Sequence, residues 1–442
     1  MNSPLPTVDA LITARWVIPV EPARSVLDDH AVVIDGGRIV AVAPAGEARS
    51  RYRARRQFDL GEHVLVPGLV NLHTHAAMAL MRGLADDLAL MDWLHHHVWP
   101  AEMRHVSEEF VYDGARLACA EMLRGGVTCF SDMYFFPRAT ARAALEARMR
   151  AMLGLIVVEF PSPYAADAQD YLNKGLALRD ELVDEPLLSH CFAPHAPYTV
   201  SDHSLRQVAT YAGELDLPVH MHVHETNDEI EHSVKHHGMR PLARLDGLGL
   251  LGPGLIAVHA VHLERHEIDL LAQHGCHVAH CPSSNLKLAS GLAPIAALLA
   301  KSVNVGLGTD GAASNNRLDM LGEMRLAALL AKGVSGDATA LPAWQALEMA
   351  TLSSARALGL DDRIGSLRPG KCADIAALRL SGIELAPCYD AQSHLVYAAG
   401  REHVSHVWVD GELVVDDGNL KTVDAHDVEA RAAHWRNRIN AS

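Results

Sequence analysis

Four short stretches concentrate the residues able to hold an ion or move a proton. The first is NLHTH, with His73 and His75 two residues apart. In an extended strand, residues i and i+2 point to the same face, so both imidazoles can reach one ion. The second, VHMHVHE, sets His220, His222 and His224 on one face and adds Glu225. Packing several imidazoles inward without partners leaves each short of a hydrogen bond, so a purely structural reading is strained. The third is AVHAVH, with His259 and His262, and the fourth is GLGTDGAASNN, with Asp310. Three or four His and Asp donors converging on one point suit Zn²⁺ with a position open to water. An H-x-H pair alone is weak evidence. Four such stretches together are specific, although alternation cannot choose among His220, His222 and His224.

Something must bring these stretches together. Each ends a short apolar run: LVPGLVNLHTH, GVTCFSDM, AMLGLIVVEF, LLSHCFAPH, LPVHMHVHE, GLIAVHAVH, GCHVAHCP and VNVGLGTDG. Between the runs lie stretches of helical periodicity, such as SEEFVYDGARLACAEMLRGG. Eight βα units in succession predict an α/β fold, a (β/α)8 TIM-type barrel, with its active site at the C-terminal ends of the strands. A two-metal version of such a site commonly uses a carboxylated lysine from the fourth strand. LLSHCFAPH has no lysine, so one Zn²⁺ per chain is expected.

The two ends of the chain read differently. AVVIDGGRIVAVAP (31–44) and VSHVWVDGELVVDDG (404–418) each place alternating apolar runs around an Asp-Gly turn. Residues 1–66 and 368–442 are therefore expected to form one small β-sandwich domain from both chain ends, with residues 67–367 as the barrel.

Other conspicuous residues carry plainer readings. His95, His96 and His97 point in different directions on a helix, so they cannot close on one ion. His232, His236 and His237 share a charged helical face and read as solvent-exposed. His262 reads as a satisfied barrel histidine, and a ligand role for Cys191 or Cys281 lacks a deprotonating environment. Asp86 and Asp87 follow the first strand, where gating or helix capping is the expected duty.

Composition narrows the class. The 442 residues are 49% hydrophobic with a net charge of −16, which is globular and disfavours a nucleic-acid partner. The seven cysteines form no C-x-x-C pair, as in a reducing compartment. No signal peptide or apolar span is visible, so a cytoplasmic protein with no membrane partner is expected.

The same stretches resemble the amidohydrolase superfamily, in the mononuclear branch that holds adenosine and cytosine deaminases. HTHAAMALMRGLADDLALMDWLHHHVWPAE (73–102), HCPSSNLKLASGLAPI (280–295), GTDGAASNN (308–316) and IGSLRPGKCADI (364–375) resemble the 5′-methylthioadenosine/S-adenosylhomocysteine deaminases within it. The resemblance implies His73, His75, His222 and Asp310 as metal ligands. It implies Glu102, His195, Glu225 and Asp310 as substrate contacts, and a homo-oligomer, dimer or tetramer. The implied chemistry is zinc-dependent hydrolytic deamination of an adenosine-type nucleoside, with Glu225, His259 and Asp310 catalytic. Asp310 would take a proton from the attacking water, Glu225 would protonate a ring nitrogen, and His259 would hold the nucleophile.

Two rival readings share the motifs. One is a deaminase or chlorohydrolase of another electron-poor ring, such as guanine, pterin, cytosine or a triazine; the other is a non-catalytic scaffold. The H-x-E and P-C-x-x-C pattern of the cytidine-deaminase fold is absent. One departure concerns the nucleoside's tail. The family pattern has an arginine after the third strand, whereas GLIVVEFPSPYAADAQ has none before Arg179. Glu159 would repel a carboxylate there, and Phe160 or Tyr164 would cover a methylthio group, which favours methylthioadenosine. Arg82 or Lys287 are the alternative cations for a carboxylate.

Overall fold

The computed structural model describes residues 5–441; residues 1–4 and 442, the extreme ends of the expected β domain, lie outside the described residues. The eight expected strands form one parallel sheet in chain order: Leu69–Thr74, Val127–Asp132, Arg150–Val157, Leu188–Pro194, Val219–Val223, Leu255–His259, His277–His280 and Asn304–Leu307. They are buried almost throughout, as continuous apolar runs in a parallel sheet must be. Closure between the eighth and first strands relies on few bonds. Asp310 N donates to His73 O (3.0 Å), and the Asn71 side chain bridges to Thr309, accepting from its N (2.9 Å) and donating to Oγ1 (2.8 Å).

Loops above the strands enter their helices through side-chain caps. Ser107, Asp167, Ser201, Thr226 and Asp319 each accept a backbone N–H in the first turn of the following helix. No helix among the described residues is long and apolar enough to cross a membrane.

Both chain ends build a second, mixed sheet. Thr7–Val17 pairs antiparallel with Leu27–Asp35; its first half also runs parallel to Arg53–Asp59 and its last residues to His63–Pro67. Ile375–Arg379 pairs with His63–Pro67 and leads to Val404–Val409 and Glu412–Asp416. The two Asp-Gly turns belong to hairpins toward opposite ends of its strand order, and their tips meet. Gly37 and Gly411 both have positive φ, and a Cβ on Gly37 would sit 2.8 Å from Asp410 O. Glycine is required there because the two hairpin tips touch.

A buried ion pair joins sheet to barrel. Arg150, on the third barrel strand, donates to both carboxylate oxygens of Asp374 (2.8 and 3.1 Å) and to Asp410 (2.7 Å). Removing one partner of a buried pair strands the other charge. Arg150→Met is therefore expected to lower unfolding free energy by about 3–5 kcal/mol, read as a lower urea midpoint.

Candidate active site

The strands end where the backbone turns sharply. His224, His259, Ala260 and Asp310 all take positive φ, from 47° to 71°. Such conformations cost free energy in non-glycine residues and persist where the surroundings dictate them.

The structure brings His73, His75, His222 and Asp310 together, one ligand atom from each lying within 4.8 Å of the others. His75 Nδ1 donates to Met133 O (2.6 Å) and His222 Nδ1 donates to His195 O (2.8 Å). A carbonyl only accepts, so both rings carry their proton on Nδ1 and present a bare Nε2. His73 Nδ1 lies 3.0 Å from His220 Nε2, so a proton on that Nδ1 is donated to His220 and leaves His73 Nε2 bare; His220 Nδ1 lies 3.3 Å from Ser131 Oγ. Three Nε2 lone pairs thus face one carboxylate: His73 to His222 is 3.2 Å, and His73 and His75 each stand 3.3 Å from Asp310 Oδ1. Burial pushes the His73 imidazole down to about 4 and His222 well below its usual value, so both are neutral. Neutral lone pairs crowded around an anion repel one another unless a cation sits among them. Three imidazoles and one carboxylate fit a single zinc ion.

The remaining expected residues line one cavity above this cluster: Glu102, His195, Glu225 and His259, together with His75, His222 and Asp310. Glu225 Oε2 lies 3.8 Å from His259 Nε2, and Ser290 Oγ donates to Glu225 Oε1 (3.3 Å). Burial raises the Glu225 carboxyl above its ordinary value. Glu102 descends from a helical segment, Leu90–His105, that covers the cavity with Trp93, Leu94 and Trp99 and contains one wide π-type turn. Tyr134 donates to Glu102 Oε1 (2.7 Å), yet burial pushes Glu102 up to about 7.

Several positioning residues escaped the sequence. Glu229 accepts from His224 N (2.9 Å) and Glu225 N (2.8 Å), pinning the turn that presents Glu225. Its one signal was Thr226-x-x-Glu229, a capping-box spacing at a helix start. Ser284 donates to Asp310 Oδ2 (2.6 Å), and Asn285 Oδ1 accepts from His259 Nδ1 (2.8 Å). These adjacent residues follow the seventh strand and announce nothing by spacing.

Other expectations resolve plainly. His220 lies beneath His73, and His224 turns away to accept from Leu242 N (3.1 Å). His262 bonds Ser290 O (2.6 Å), and burial pushes the Cys191 thiol up to about 12. Three expectations are corrected. Tyr164 packs on Phe136 and Tyr171 instead of lining the cavity, because its loop folds back over the third strand's helix. Arg82 pairs with Glu121, and Lys287 is engaged by Asp86 (2.7 Å) and Ala313 O (3.0 Å), so neither reaches the cavity as a free cation. Asp86 caps no helix among the described residues; with Lys287 and Asn316 it ties the first-strand loop to the seventh and eighth.

Fold and site together define a metal-dependent barrel hydrolase. The chain belongs to the amidohydrolase family, whose model matches residues 64–414. It is 47% identical over 433 residues to a 5-methylthioadenosine/S-adenosylhomocysteine deaminase of Saccharophagus degradans, covering 98% of this chain and 97% of that one. A second such enzyme, of Teredinibacter turnerae, is 47% identical over 98% of both chains. Among solved structures, an adenosine deaminase from Xanthomonas campestris with bound zinc superposes with a TM-score of 0.98 at 48% identity, covering 99% of this chain and 100% of that one. A zinc-complexed atrazine chlorohydrolase from Arthrobacter aurescens gives 0.89 at 27% identity, covering 96% and 99%.

Protein purified without added metal is expected to carry close to one zinc per chain by elemental analysis. His222→Ala should lose most of it, whereas Glu225→Gln, outside the cluster, should keep it. Two equivalents per chain would contradict the single site.

Proposed function

We propose that the chain is a zinc-dependent aminohydrolase of adenosine-type nucleosides: 5′-methylthioadenosine, S-adenosylhomocysteine or adenosine. Water adds at the ring carbon bearing the amine, the C–N bond breaks, and the products are an inosine-type nucleoside and ammonia. In this reading the enzyme is a cytoplasmic homo-oligomer, dimer or tetramer, without nucleic-acid or membrane partners. One observation carries the proposal: a buried, protonatable Glu225 stands beside His259 and the four-residue cluster in a single cavity. The names of the relatives at 47% identity support the substrate class.

Zinc, when bound, supplies the Lewis acidity that makes water nucleophilic near pH 7. His73, His75, His222 and Asp310 would hold it. Asp310, fixed by Ser284, takes the proton that the attacking water loses and hands it to the amine as the C–N bond breaks, and the remaining hydroxyl proton restores Glu225. The Asn285 bond keeps the His259 proton on Nδ1, so Nε2 accepts a hydrogen bond from that water and aims it. Glu225, whose carboxyl burial raises above its ordinary value, donates in its protonated form to the ring nitrogen next to the attacked carbon and neutralises the charge developing there. Glu102 and His195 contact the substrate from the cavity wall, and the Leu90–His105 cover excludes bulk water.

Ammonia release across adenosine, methylthioadenosine, S-adenosylhomocysteine, guanine, cytosine and atrazine tests the class; turnover confined to guanine or atrazine would refute it. Glu225→Gln should retain zinc yet lose about two to four orders of magnitude in kcat. A second prediction concerns pH. If ionised Glu102 accepts a substrate hydroxyl, kcat/KM falls as pH drops through about 7. Tyr134→Phe removes a donor that favours the carboxylate, so that acid limb should move to higher pH. An unmoved limb would separate Glu102 from substrate binding.

A further inference from the structure

The space above the cluster is divided in two. The inner chamber has a free volume of about 100 Å³ and holds Glu225, His259 and Asp310. An outer chamber of about 780 Å³ adjoins it and shares Trp99, Phe160, Tyr198 and Glu225. Sites for ligands of nucleoside size run to about 300–1,000 Å³, so the inner chamber alone is too small. With the reacting ring carbon at the cluster, the opposite end of the molecule, its 5′ substituent, extends into the outer chamber.

That chamber is built against negative charge. Glu159 and Asp228 border it, and both bonds that Glu159 accepts, from Ser201 N (2.9 Å) and Ser204 Oγ (2.7 Å), fall on Oε1. Among the described residues lining either chamber, Arg244 is the one lysine or arginine. Its guanidinium is already committed: Nε donates to Asp202 Oδ1 (2.8 Å), Nη1 to Pro197 O and Nη2 to Val200 O (3.1 Å). The imidazoles of His232 and His237 are held below their usual value, by burial first and then by cationic neighbours. Trp99, Phe160 and Tyr198 supply aromatic surface, which suits thioethers and cations. A carboxylate entering here gives up water, faces the carboxylates of Glu159 and Asp228 and finds no open lysine or arginine, only the imidazoles of His95, His232 and His237.

We propose that the outer chamber is a charge filter on the 5′ substituent, admitting neutral and cationic ends and turning away anionic ones. The proposal rests on the nucleoside-deaminase reading above and names the substrate subset that reading leaves open. Methylthioadenosine is then a good substrate. S-adenosylhomocysteine, which carries a carboxylate beside its ammonium, is a poor one.

The test uses two substrates of equal length and opposite charge, 5′-aminopropylthioadenosine and 5′-carboxyethylthioadenosine, beside adenosine, methylthioadenosine and S-adenosylhomocysteine. At one ionic strength, kcat/KM of the zinc-loaded enzyme should favour the amine over the carboxylate by at least about tenfold, with S-adenosylhomocysteine below methylthioadenosine. Glu159→Gln and Asp228→Asn should each shrink the amine-to-carboxylate ratio severalfold, and Phe160→Lys should invert it. An amine-to-carboxylate ratio near one, with adenosine still deaminated, would overturn the filter and leave the deaminase reading standing. No ammonia from any of the five substrates would overturn both.

Discussion

The structure is organised around a repulsion. Three imidazole nitrogens with bare lone pairs and one ionised carboxylate are forced to within 4.8 Å of one another. Nothing in the chain lies between them to relieve the crowding, and the protein holds the arrangement by tying down the far side of each ring. Carbonyls fix His75 and His222, and a second imidazole fixes His73. Such outer partners set the tautomer and the aim of a ligand, which the ligand types alone do not determine. The same device continues outward. Asn285 settles which nitrogen of His259 faces the cavity, and Glu229 anchors the turn carrying Glu225. Burial that would be a liability elsewhere here keeps imidazoles neutral and raises the Glu225 carboxyl above its ordinary value.

Much of this was legible before the fold was seen, for a definite reason. Continuous apolar runs bounded by polar strand ends report a parallel barrel, and all eight runs became strands. The Asp-Gly turns likewise announced hairpins, and the pairing of Ile375–Arg379 with His63–Pro67 joins the two chain ends in one sheet. The pair His73 and His75 was visible because i and i+2 share a face. Alternation failed at VHMHVHE because it knows the face of a residue but not its height. His220 sits one layer below the cluster, His222 at its level, and His224 beyond the strand, where positive φ swings it aside. Ser284, Asn285 and Tyr134 were invisible because each acts on a residue far away in sequence. Their types are ordinary, and only the closed barrel gives them a partner. Tyr164 misled in the opposite sense. Sequence proximity to Phe160 suggested a shared wall, but the turn between them sends the two rings to different clusters.

The covering segment follows the same economy. Its one wide turn falls where histidines crowd the outer surface and tryptophans face inward, and π-type turns commonly mark functional segments. Below it, the contacts among Asp86, Lys287 and Asn316 bind three loops of the rim, so the cover rises from a fixed base.

The thin closure between the first and eighth strands has a consequence for how the ion comes and goes. His73 and His75 stand on one side of that seam and Asp310 on the other, so a bound zinc staples the barrel shut. Breathing of a protein follows its least-supported contacts. Here those are one main-chain bond at Asp310, a bond from Thr74 Oγ1 to Asp310 O and the reach of one asparagine, Asn71. A parting of this seam would draw His73 and His75 away from Asp310 while leaving the other seven strand pairings in place. Slow exchange of the Thr309 and Asp310 amides with solvent deuterium would accompany a long-lived ion.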